Sequence, residues 1–306
     1  MFGELPRSPD SVGPRDRRAR FRELLSRPGI IVQPSVGDAL TACVAELIGF
    51  DAIALGGYAV GARLAITEPL LSVDDVAATV RYISLACGLP VMVDAGAGWG
   101  DPLHVMRTVR VLEDAGAASV HIEDQMFPKR AHYHRGTESV ISQPEMVAKI
   151  RAALAAREDK QLVVVARTDA MRTDGYEEGI RRASAYAEAG AEMVMLFPNQ
   201  VDEAMRAPKD LSGIPLIYVN STGNRFDRPV LSAQQLQEWG WKLVYDSFAA
   251  TGAMVHSLQV MLTNLKATGA SGLDPALMID ARNFVEKAIG LERYYRIEEE
   301  TVERRN

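Results

Sequence analysis

Short apolar runs recur along the chain and alternate with longer amphipathic stretches. The runs are rich in Val, Ile and Leu, which is typical of strands. They are IIVQP from residue 30, DAIALGG from 51, PVMVDAG from 90, SVHIED from 119, LVVVARTDA from 162, MVMLFP from 193, PLIYVN from 215 and KLVYDSF from 242. Between most of them, apolar residues recur at spacings of three and four, as in Val105, Val109 and Leu112, which predicts helices. The alternation predicts βαβ units.

The number and length of these units favour a closed barrel. Residues 30–268 hold the eight units, so each averages about 30 residues, as expected of a (β/α)8 barrel. A doubly wound open sheet is the alternative, but no predicted strand is followed by a GxGxxG turn that opens a helix. We therefore predict an α/β protein with a (β/α)8 TIM-type barrel.

Two terminal segments lie outside this alternation of predicted strands and helices. Residues 1–23 are polar and rich in arginine, and we expect a flexible arm there, followed by a catalytic barrel over residues 24–270. Residues 271–306 form a predicted helical extension, in which residues 274–295 have the pattern of an amphipathic helix. The apolar face of that helix either packs on its own barrel or covers a neighbouring subunit, and the sequence leaves both alternatives open.

The composition excludes several classes of protein. The chain has 306 residues, of which 47% are hydrophobic, and a net charge of −6, as in soluble globular proteins. No apolar run approaches the roughly 18 residues that span a bilayer, so we expect no membrane segment. The acidic balance gives no basis for binding nucleic acid. The two cysteines, Cys43 and Cys87, are too far apart for a redox or zinc pair, which fits a cytoplasmic location.

Polar residues follow the predicted strands at the end where barrel enzymes place their active sites. They include Asp94 after the third strand, Glu123 and Asp124 after the fourth, Arg167 after the fifth, Asn199 after the sixth, and Asn220 and Thr222 after the seventh. A single acid at such a place is most simply a cap or an ion-pair partner. Several acids at adjacent strand ends repel one another unless a cation compensates, and oxygen ligands suit Mg²⁺ or Mn²⁺. We therefore predict a magnesium or manganese site.

Five motifs carry a resemblance to a known family. They are LGGY at residues 55–58, VDAGAGWGD at 93–101, HIEDQMFPKR at 121–130, ARTDA at 166–170 and VNSTGN at 219–224. In this order they resemble the isocitrate lyase and phosphoenolpyruvate mutase superfamily, and most closely its methylisocitrate lyase and carboxyphosphonoenolpyruvate phosphonomutase branch. The resemblance implies a magnesium-dependent homotetrameric barrel that makes or breaks a bond next to a 2-oxo acid carboxylate through an enolate.

The resemblance also implies roles for the acids. Asp94 matches a metal ligand, whereas Glu123 and Glu68 match acids that hold metal-bound water. Glu68 stands where the family usually has Asp. The family's DAD element is replaced by Asp94, Ala95 and Gly96, so the second acid of that element is missing.

For the substrate, the resemblance implies two binding regions. Gly56, Gly57 and Tyr58 match a turn whose backbone N–H groups form an oxyanion hole for the carboxylate and the enolate oxygen. Arg167 matches the guanidinium that clamps the same oxo acid. The second carboxylate of the substrate is expected on the later strand ends, at Asn220 and Thr222, with Asn199 in place of a common Glu.

The loop after the fourth strand departs most from the family. Lys129 and Arg130 match a mobile gating loop, but Ala131 stands where the lyases carry a catalytic cysteine. Histidine exchanges protons near neutral pH, so His132 and His134 are candidates for the lost acid or base. The alternative is that both are solvated loop residues.

Three functions remain open from the sequence. The first is a magnesium-dependent carbon–carbon lyase acting on a 2-hydroxy di- or tricarboxylate. The second is an oxaloacetate decarboxylase or a phosphonopyruvate-type mutase or hydrolase, since those branches also lack the loop cysteine. The third is a barrel that binds an oxo acid, or serves as a structural subunit, without catalysis.

Overall fold

A computed structural model describes residues 13–136 and 139–303. Its strands are β1 (Ile31–Pro34), β2 (Ile53–Leu55), β3 (Val91–Asp94), β4 (Ser119–Glu123), β5 (Val163–Arg167), β6 (Met193–Leu196), β7 (Leu216–Asn220) and β8 (Leu243–Asp246). They are parallel and lie in the order β1-β8-β7-β6-β5-β4-β3-β2. A parallel bridge between Ser35 and Ala54 brings β1 and β2 together. The predicted (β/α)8 barrel is confirmed.

Helices alternate with the strands. They are α1 (Pro14–Ser26), α2 (Ala39–Ile48), α3 (Gly57–Leu64), α4 (Val73–Ala86), α5 (Pro102–Ala115), α6 (Gln143–Ala156), α7 (Ala170–Thr173), α8 (Tyr176–Glu188), α9 (Val201–Asp210), α10 (Ala233–Trp239), α11 (Ala249–Thr268), α12 (Pro275–Ala288) and α13 (Leu291–Thr301). Many begin at a capping side chain. In α4, for example, the Ser72 hydroxyl accepts from the Asp75 N–H, and the Asp75 carboxylate accepts from the Ser72 N–H.

The period of two along each strand decides which side chains reach the active-site end of the barrel. Met92 and Val165 point into the apolar barrel interior, so the residues two positions later, Asp94 and Arg167, point the same way at the carboxyl end. Glu123 ends β4 and is fully buried. Three strands thus deliver charged side chains to one mouth.

The N-terminal helix is packed beneath the barrel. Arg17 donates to the Ser84 and Cys87 carbonyls at 2.9 and 3.0 Å, Arg18 donates to the Ala117 carbonyl at 3.0 Å, and Phe21 is fully buried. The expectation of a flexible arm is therefore wrong for residues 14–23, because buried carbonyls satisfy arginines that look solvated in the sequence. Residues 1–12 lie outside the described residues.

The chain ends in helices that bury little. The pattern over residues 274–295 predicts one helix, but α12 and α13 are separate because Gly290, with φ of 68°, ends α12 in the left-handed region. The helix α12 lies against α2. Within α11 to α13 no side chain is buried, and many apolar side chains are exposed. Among the described residues, no helix is long and apolar enough to cross a membrane.

Candidate active site

A cavity of about 530 Å³ lies at the carboxyl ends of the strands. Its wall combines the turn after β2, the ends of β3 and β5, and the loops that follow β4 and β7. Gly57, Asp94 and Arg167 line one part of the wall, and Tyr133 and Arg228 contribute to others. This is the face on which the sequence places the site.

Asp94 is held by two backbone donors. The Gly57 N–H donates to its Oδ2 at 3.1 Å, and the Gly96 N–H donates to its Oδ1 at 2.8 Å. Burial opposes ionisation of this carboxyl, but His121, Lys129 and Arg167 more than compensate and hold its pKa below the usual value. Asp94 is therefore a fixed carboxylate at the cavity wall.

The β2–α3 turn needs glycine for space. A Cβ atom on Gly57 would lie 2.9 Å from Cγ of Glu68 and 3.0 Å from its Cδ. At the start of α3, the Gly57 N–H donates to Asp94, and the N–H groups of Ala59 and Val60 donate to the Gly56 carbonyl. Among the described residues, the Tyr58 N–H has no hydrogen-bond partner, so it is the backbone donor next to Asp94 that an oxyanion hole could use.

Lys129 lies between two buried acids. Its ammonium group contacts Glu68 and lies 3.1 Å from Oε1 of Glu123. The Tyr133 hydroxyl also donates to Glu68, and the Lys129 ammonium lies 4.2 Å from the centre of the Tyr133 ring. Burial raises the pKa of Glu123 to about 7 despite Lys129 and Arg167. Within the described chain, neither oxygen of Glu123 accepts a hydrogen bond.

These acids fit a hydrated magnesium ion. In the described ranges, no three His, Cys, Asp or Glu side chains converge closely enough to chelate a metal directly. Mg²⁺ needs less, because it keeps several waters and binds proteins through one or two carboxylates. Asp94 is suited to be the direct ligand, and Glu68 in the same cavity wall is suited to hold water. Glu123 would assist from behind this wall, since its oxygens have ion-pair contacts with Lys129 and Arg167 but accept no hydrogen bond within the described residues.

Arg167 is fixed by acids on two sides. Its Nε and Nη2 donate to Asp169 at 3.0 and 3.1 Å, and its Nη1 lies 3.1 Å from Oε2 of Glu123. The guanidinium lies over the Phe197 ring, 4.6 Å from its centre. Burial lowers the pKa of Arg167, but Asp169 and Glu123 raise it well above its usual value. The guanidinium is therefore cationic and oriented at the cavity wall.

A second layer of hydrogen bonds positions this arginine through Asp124. The Asp124 carboxylate accepts from the Thr168 hydroxyl at 2.7 Å, from the Asp169 N–H at 3.0 Å and from the Tyr186 hydroxyl at 2.9 Å. Arg182 also lies 3.3 Å from it. Asp124, which the sequence groups with Glu123 at a strand end, therefore faces away from the cavity and supports the turn that carries Arg167.

The structure separates the loop residues. His134 lines the cavity, with its Nε2 3.4 Å from the Thr67 hydroxyl and its ring against Tyr58. His132 and Arg130 are exposed and are not part of the cavity wall. Lys129 is buried in ion pairs. Only His134 of the two histidines is placed to meet a ligand.

The polar residues expected to bind the second carboxylate support loops instead. Asn199 donates to the Met171 carbonyl at 2.8 Å, Asn220 donates to the Leu231 carbonyl at 2.8 Å, and the Thr222 hydroxyl donates to Asp246 at 2.5 Å. None of these three lines the cavity. Their amide and hydroxyl groups are already hydrogen-bonded to neighbouring parts of the protein.

Several residues that line the cavity are not predicted as site residues from the sequence. They are Arg172, Phe197, Arg225, Phe226, Arg228, Tyr245 and Phe248. Arg228 lies eight positions beyond the end of β7 in a connection without helix or strand. The length of that connection was the available signal, because long loops at this face of a barrel commonly carry function.

The chain matches the family model described as phosphoenolpyruvate phosphomutase over residues 21–269. It belongs to this family, and the predicted membership of the isocitrate lyase and phosphoenolpyruvate mutase superfamily is confirmed. The 2,3-dimethylmalate lyase of Eubacterium barkeri is 37% identical over 245 residues, which are 78% of this chain and 83% of that protein. The 2-methylisocitrate lyase of Aeropyrum pernix is 34% identical over 253 residues, 81% and 80% of the two chains.

Solved structures show the same relationship. An oxaloacetate acetylhydrolase in complex with the inhibitor 3,3-difluorooxalacetate is 27% identical, with a TM-score of 0.86 and coverage of 94% and 97%. A phosphonopyruvate hydrolase in complex with oxalate and Mg²⁺ is 25% identical, with a TM-score of 0.81 and coverage of 94% and 99%. The prediction of an enzyme of this superfamily is thereby confirmed, at the level of lyases and mutases.

Arg167→Lys tests the oriented guanidinium. A lysine keeps the charge but loses the two parallel bonds to Asp169, so we expect oxalate binding to weaken by about 2 kcal/mol. Isothermal titration with Mg²⁺ present measures this. Arg130→Lys is the matched control and should bind oxalate as the unaltered protein does. Equal oxalate affinity of all three proteins would remove Arg167 from the binding site.

Proposed function

We propose that the chain is a Mg²⁺-dependent lyase that cleaves a carbon–carbon bond in a 2-hydroxy di- or tricarboxylate, so that the hydroxyl carbon leaves as a 2-oxo acid and the electron pair of the broken bond passes to the other fragment as the enolate of its carboxylate. One observation carries this proposal. Asp94, the start of α3 and Arg167 converge on one wall of a single cavity, which is the set of groups that a 2-oxo acid needs. The lyases and hydrolases among its relatives support the same chemistry.

The residues of the wall have distinct tasks. Asp94, with Glu68 and Glu123 through water, would hold Mg²⁺, which supplies a Lewis acid for the oxygen on C2 of the substrate. The backbone N–H of Tyr58, at the start of α3, would stabilise that oxygen as the alkoxide that forms before the bond breaks. Arg167 orients the adjacent carboxylate through its planar fork. These tasks require no cysteine in the loop.

The loop after β4 supplies the proton transfer in this proposal. Burial lowers the pKa of His134, so its imidazole is neutral at pH 7 and accepts a proton. Burial and Glu68 raise the pKa of Tyr133, which keeps that hydroxyl protonated, and its hydrogen is donated to Glu68. We assign the base to His134, and we propose that Tyr133 holds Glu68 in position beside it.

A substrate panel tests the proposed reaction. With Mg²⁺, the protein should cleave 2,3-dimethylmalate, 2-methylisocitrate or a homologous hydroxy acid, with products detected by NMR. Asp94→Ala should abolish turnover and the Mg²⁺ dependence of oxalate binding, because it removes the direct ligand. Asp101→Ala, at the exposed start of α5, is the control.

The outcomes of the panel separate the alternatives. If oxaloacetate were the only substrate turned over, the protein would be an oxaloacetate decarboxylase or hydrolase that uses the same cavity wall, and not a lyase of hydroxy acids. Absence of any turnover, together with Mg²⁺-dependent oxalate binding, would leave the non-catalytic barrel. Full activity of Asp94→Ala would contradict the metal assignment.

The pH dependence tests His134. Its lowered pKa means that kcat/KM should be constant above about 6.5 and fall at lower pH as the imidazole becomes protonated. His134→Gln should reduce kcat about 100-fold and remove that acidic limb. His132→Gln, its exposed neighbour, should leave the profile unchanged. An acidic limb that persists in His134→Gln would assign the ionisation to another group.

We also propose that the protein is a homotetramer in which the C-terminal helices cover one another. Exposed apolar side chains on these helices support this: Val255, Leu258, Leu262, Leu277, Ile279 and Val285. Light scattering should give about four times the 33.4 kDa chain mass. Ile279→Asp with Val285→Asp should lower that mass, whereas Leu85→Asp, on α4, should not. A monomer before substitution would contradict the proposal.

A further inference from the structure

Arg228 is a buried cation in the wall of the cavity. It lies in the connection between β7 and α10, and only 8% of its surface is exposed. Its Nη2 donates to the Val219 carbonyl. In the part of the chain that the structure describes, its Nε has no hydrogen-bond partner. A buried guanidinium with donors left over is costly unless something else completes it.

In the described ranges, no acid forms an ion pair with this arginine. Among the described residues, no carboxylate oxygen lies within 4.0 Å of the Arg228 guanidinium. Asp169, whose charge raises the pKa of Arg228, is itself paired with Arg167 and lies 3.7 Å from Arg172. Burial lowers the pKa of Arg228 to about 10, so it still carries its charge at neutral pH. Within the described chain, the guanidinium therefore has no carboxylate in direct contact.

The connection that carries Arg228 is rigidly held. The Asn224 side chain accepts from the Arg228 N–H at 3.0 Å and donates to the Arg228 carbonyl, also at 3.0 Å. The same side chain accepts from the Phe226 N–H at 3.2 Å. Asn224 thus fixes the backbone of Arg228, while the Val219 carbonyl and the Phe197 ring hold its guanidinium before any ligand arrives.

The position of Arg228 relative to Arg167 defines the ligand. The two guanidinium carbons lie 5.0 and 4.6 Å from the centre of the same Phe197 ring. Both line the same cavity. A ligand with one carboxylate on the Arg167 wall can therefore reach Arg228 with a second carboxylate.

We propose that Arg228 binds the second carboxylate of the substrate and makes the site selective for dicarboxylates over 2-oxo monocarboxylates. This inference rests on the proposed function, since it takes the Arg167 wall as the site of the first carboxylate. A guanidinium suits the role because its fork matches a carboxylate with two parallel bonds. A monocarboxylate leaves Arg228 buried and unpaired, which is the source of the selectivity.

Other residues of the same loop are less suited to this role. Arg225 also lines the cavity but is exposed, so water screens its charge. The Asn220 side chain donates to the Leu231 carbonyl, and the Thr222 N–H donates to the Asp246 carboxylate. Arg206, an exposed arginine of α9 that does not line the cavity, provides the control.

Two ligands separate the two ends of the cavity. Oxalate, whose two carboxyl groups imitate the carboxylate and the C2 oxygen of a 2-oxo acid, reports the Arg167 wall. The ligand 3,3-difluorooxalacetate presents the same two groups and a further carboxylate at C4. Both affinities are measured by isothermal titration with Mg²⁺ present. Arg228→Gln should weaken 3,3-difluorooxalacetate about 30-fold and oxalate by less than about threefold. Arg206→Gln should change neither by more than about threefold.

The remaining outcomes are decisive. Equal weakening of both ligands in Arg228→Gln would show a loop support and overturn the proposal, as would unchanged affinity for both. If thermal unfolding shows that Arg228→Gln is not folded, Arg228→Lys decides, with an expected loss of about 10-fold for 3,3-difluorooxalacetate alone. Failure of the unaltered protein to bind oxalate would instead refute the proposed function.

Discussion

A row of buried charges of alternating sign across the barrel mouth organises the site. It runs from Glu68 to Lys129, Glu123, Arg167 and Asp169, with successive contacts that include three separations of 3.0 to 3.1 Å. Glu68 lies after α3, Lys129 lies in the loop after β4, and Glu123 ends β4. Arg167 and Asp169 lie at the end of β5. Because buried charges need partners, removal of one member would leave its neighbours uncompensated, at a cost of about 3–5 kcal/mol.

The row explains why several local features occur together. Lys129 and Tyr133 both reach Glu68, so the loop after β4 lies over the mouth and brings His134 to the cavity. Gly57 has no side chain because Glu68 occupies the space. Including Asp94, the row has more carboxylates than cations, so it favours a further cation, and Mg²⁺ is the natural candidate for oxygen ligands.

Features that depend on the periodicity of apolar residues can be predicted from the sequence. The contacts of a loop residue cannot, because its residue type does not show which group it binds. Alternation along buried strands is enough to place Asp94 and Arg167 at one mouth. The loop residues are different, because an Asn or Thr at a strand end serves equally well as a ligand or as a loop support. Asn220 proved to be a loop support, whereas Arg228 in the same connection faces the cavity.

The termini show the same limit. Arg17 and Arg18 give α1 a polar sequence, yet both are buried because backbone carbonyls of the barrel accept their hydrogen bonds. Such an arginine cannot be recognised from its neighbours in the sequence, because the carbonyls that accept its hydrogen bonds are far away along the chain. The break between α12 and α13 did have one, since Gly290 lies inside the predicted helix and glycine commonly ends helices.

The central claim is that the Asp94, α3 and Arg167 wall binds Mg²⁺ together with the carboxylate and the C2 oxygen of a 2-oxo acid. The most direct measurement is isothermal titration of oxalate, which presents both groups, with and without Mg²⁺, because this binding is needed whatever the natural substrate is. We predict Mg²⁺-dependent oxalate binding by the unaltered protein and its loss in Asp94→Ala. Oxalate binding that is equally tight without Mg²⁺, or that persists in Asp94→Ala, would contradict the claim.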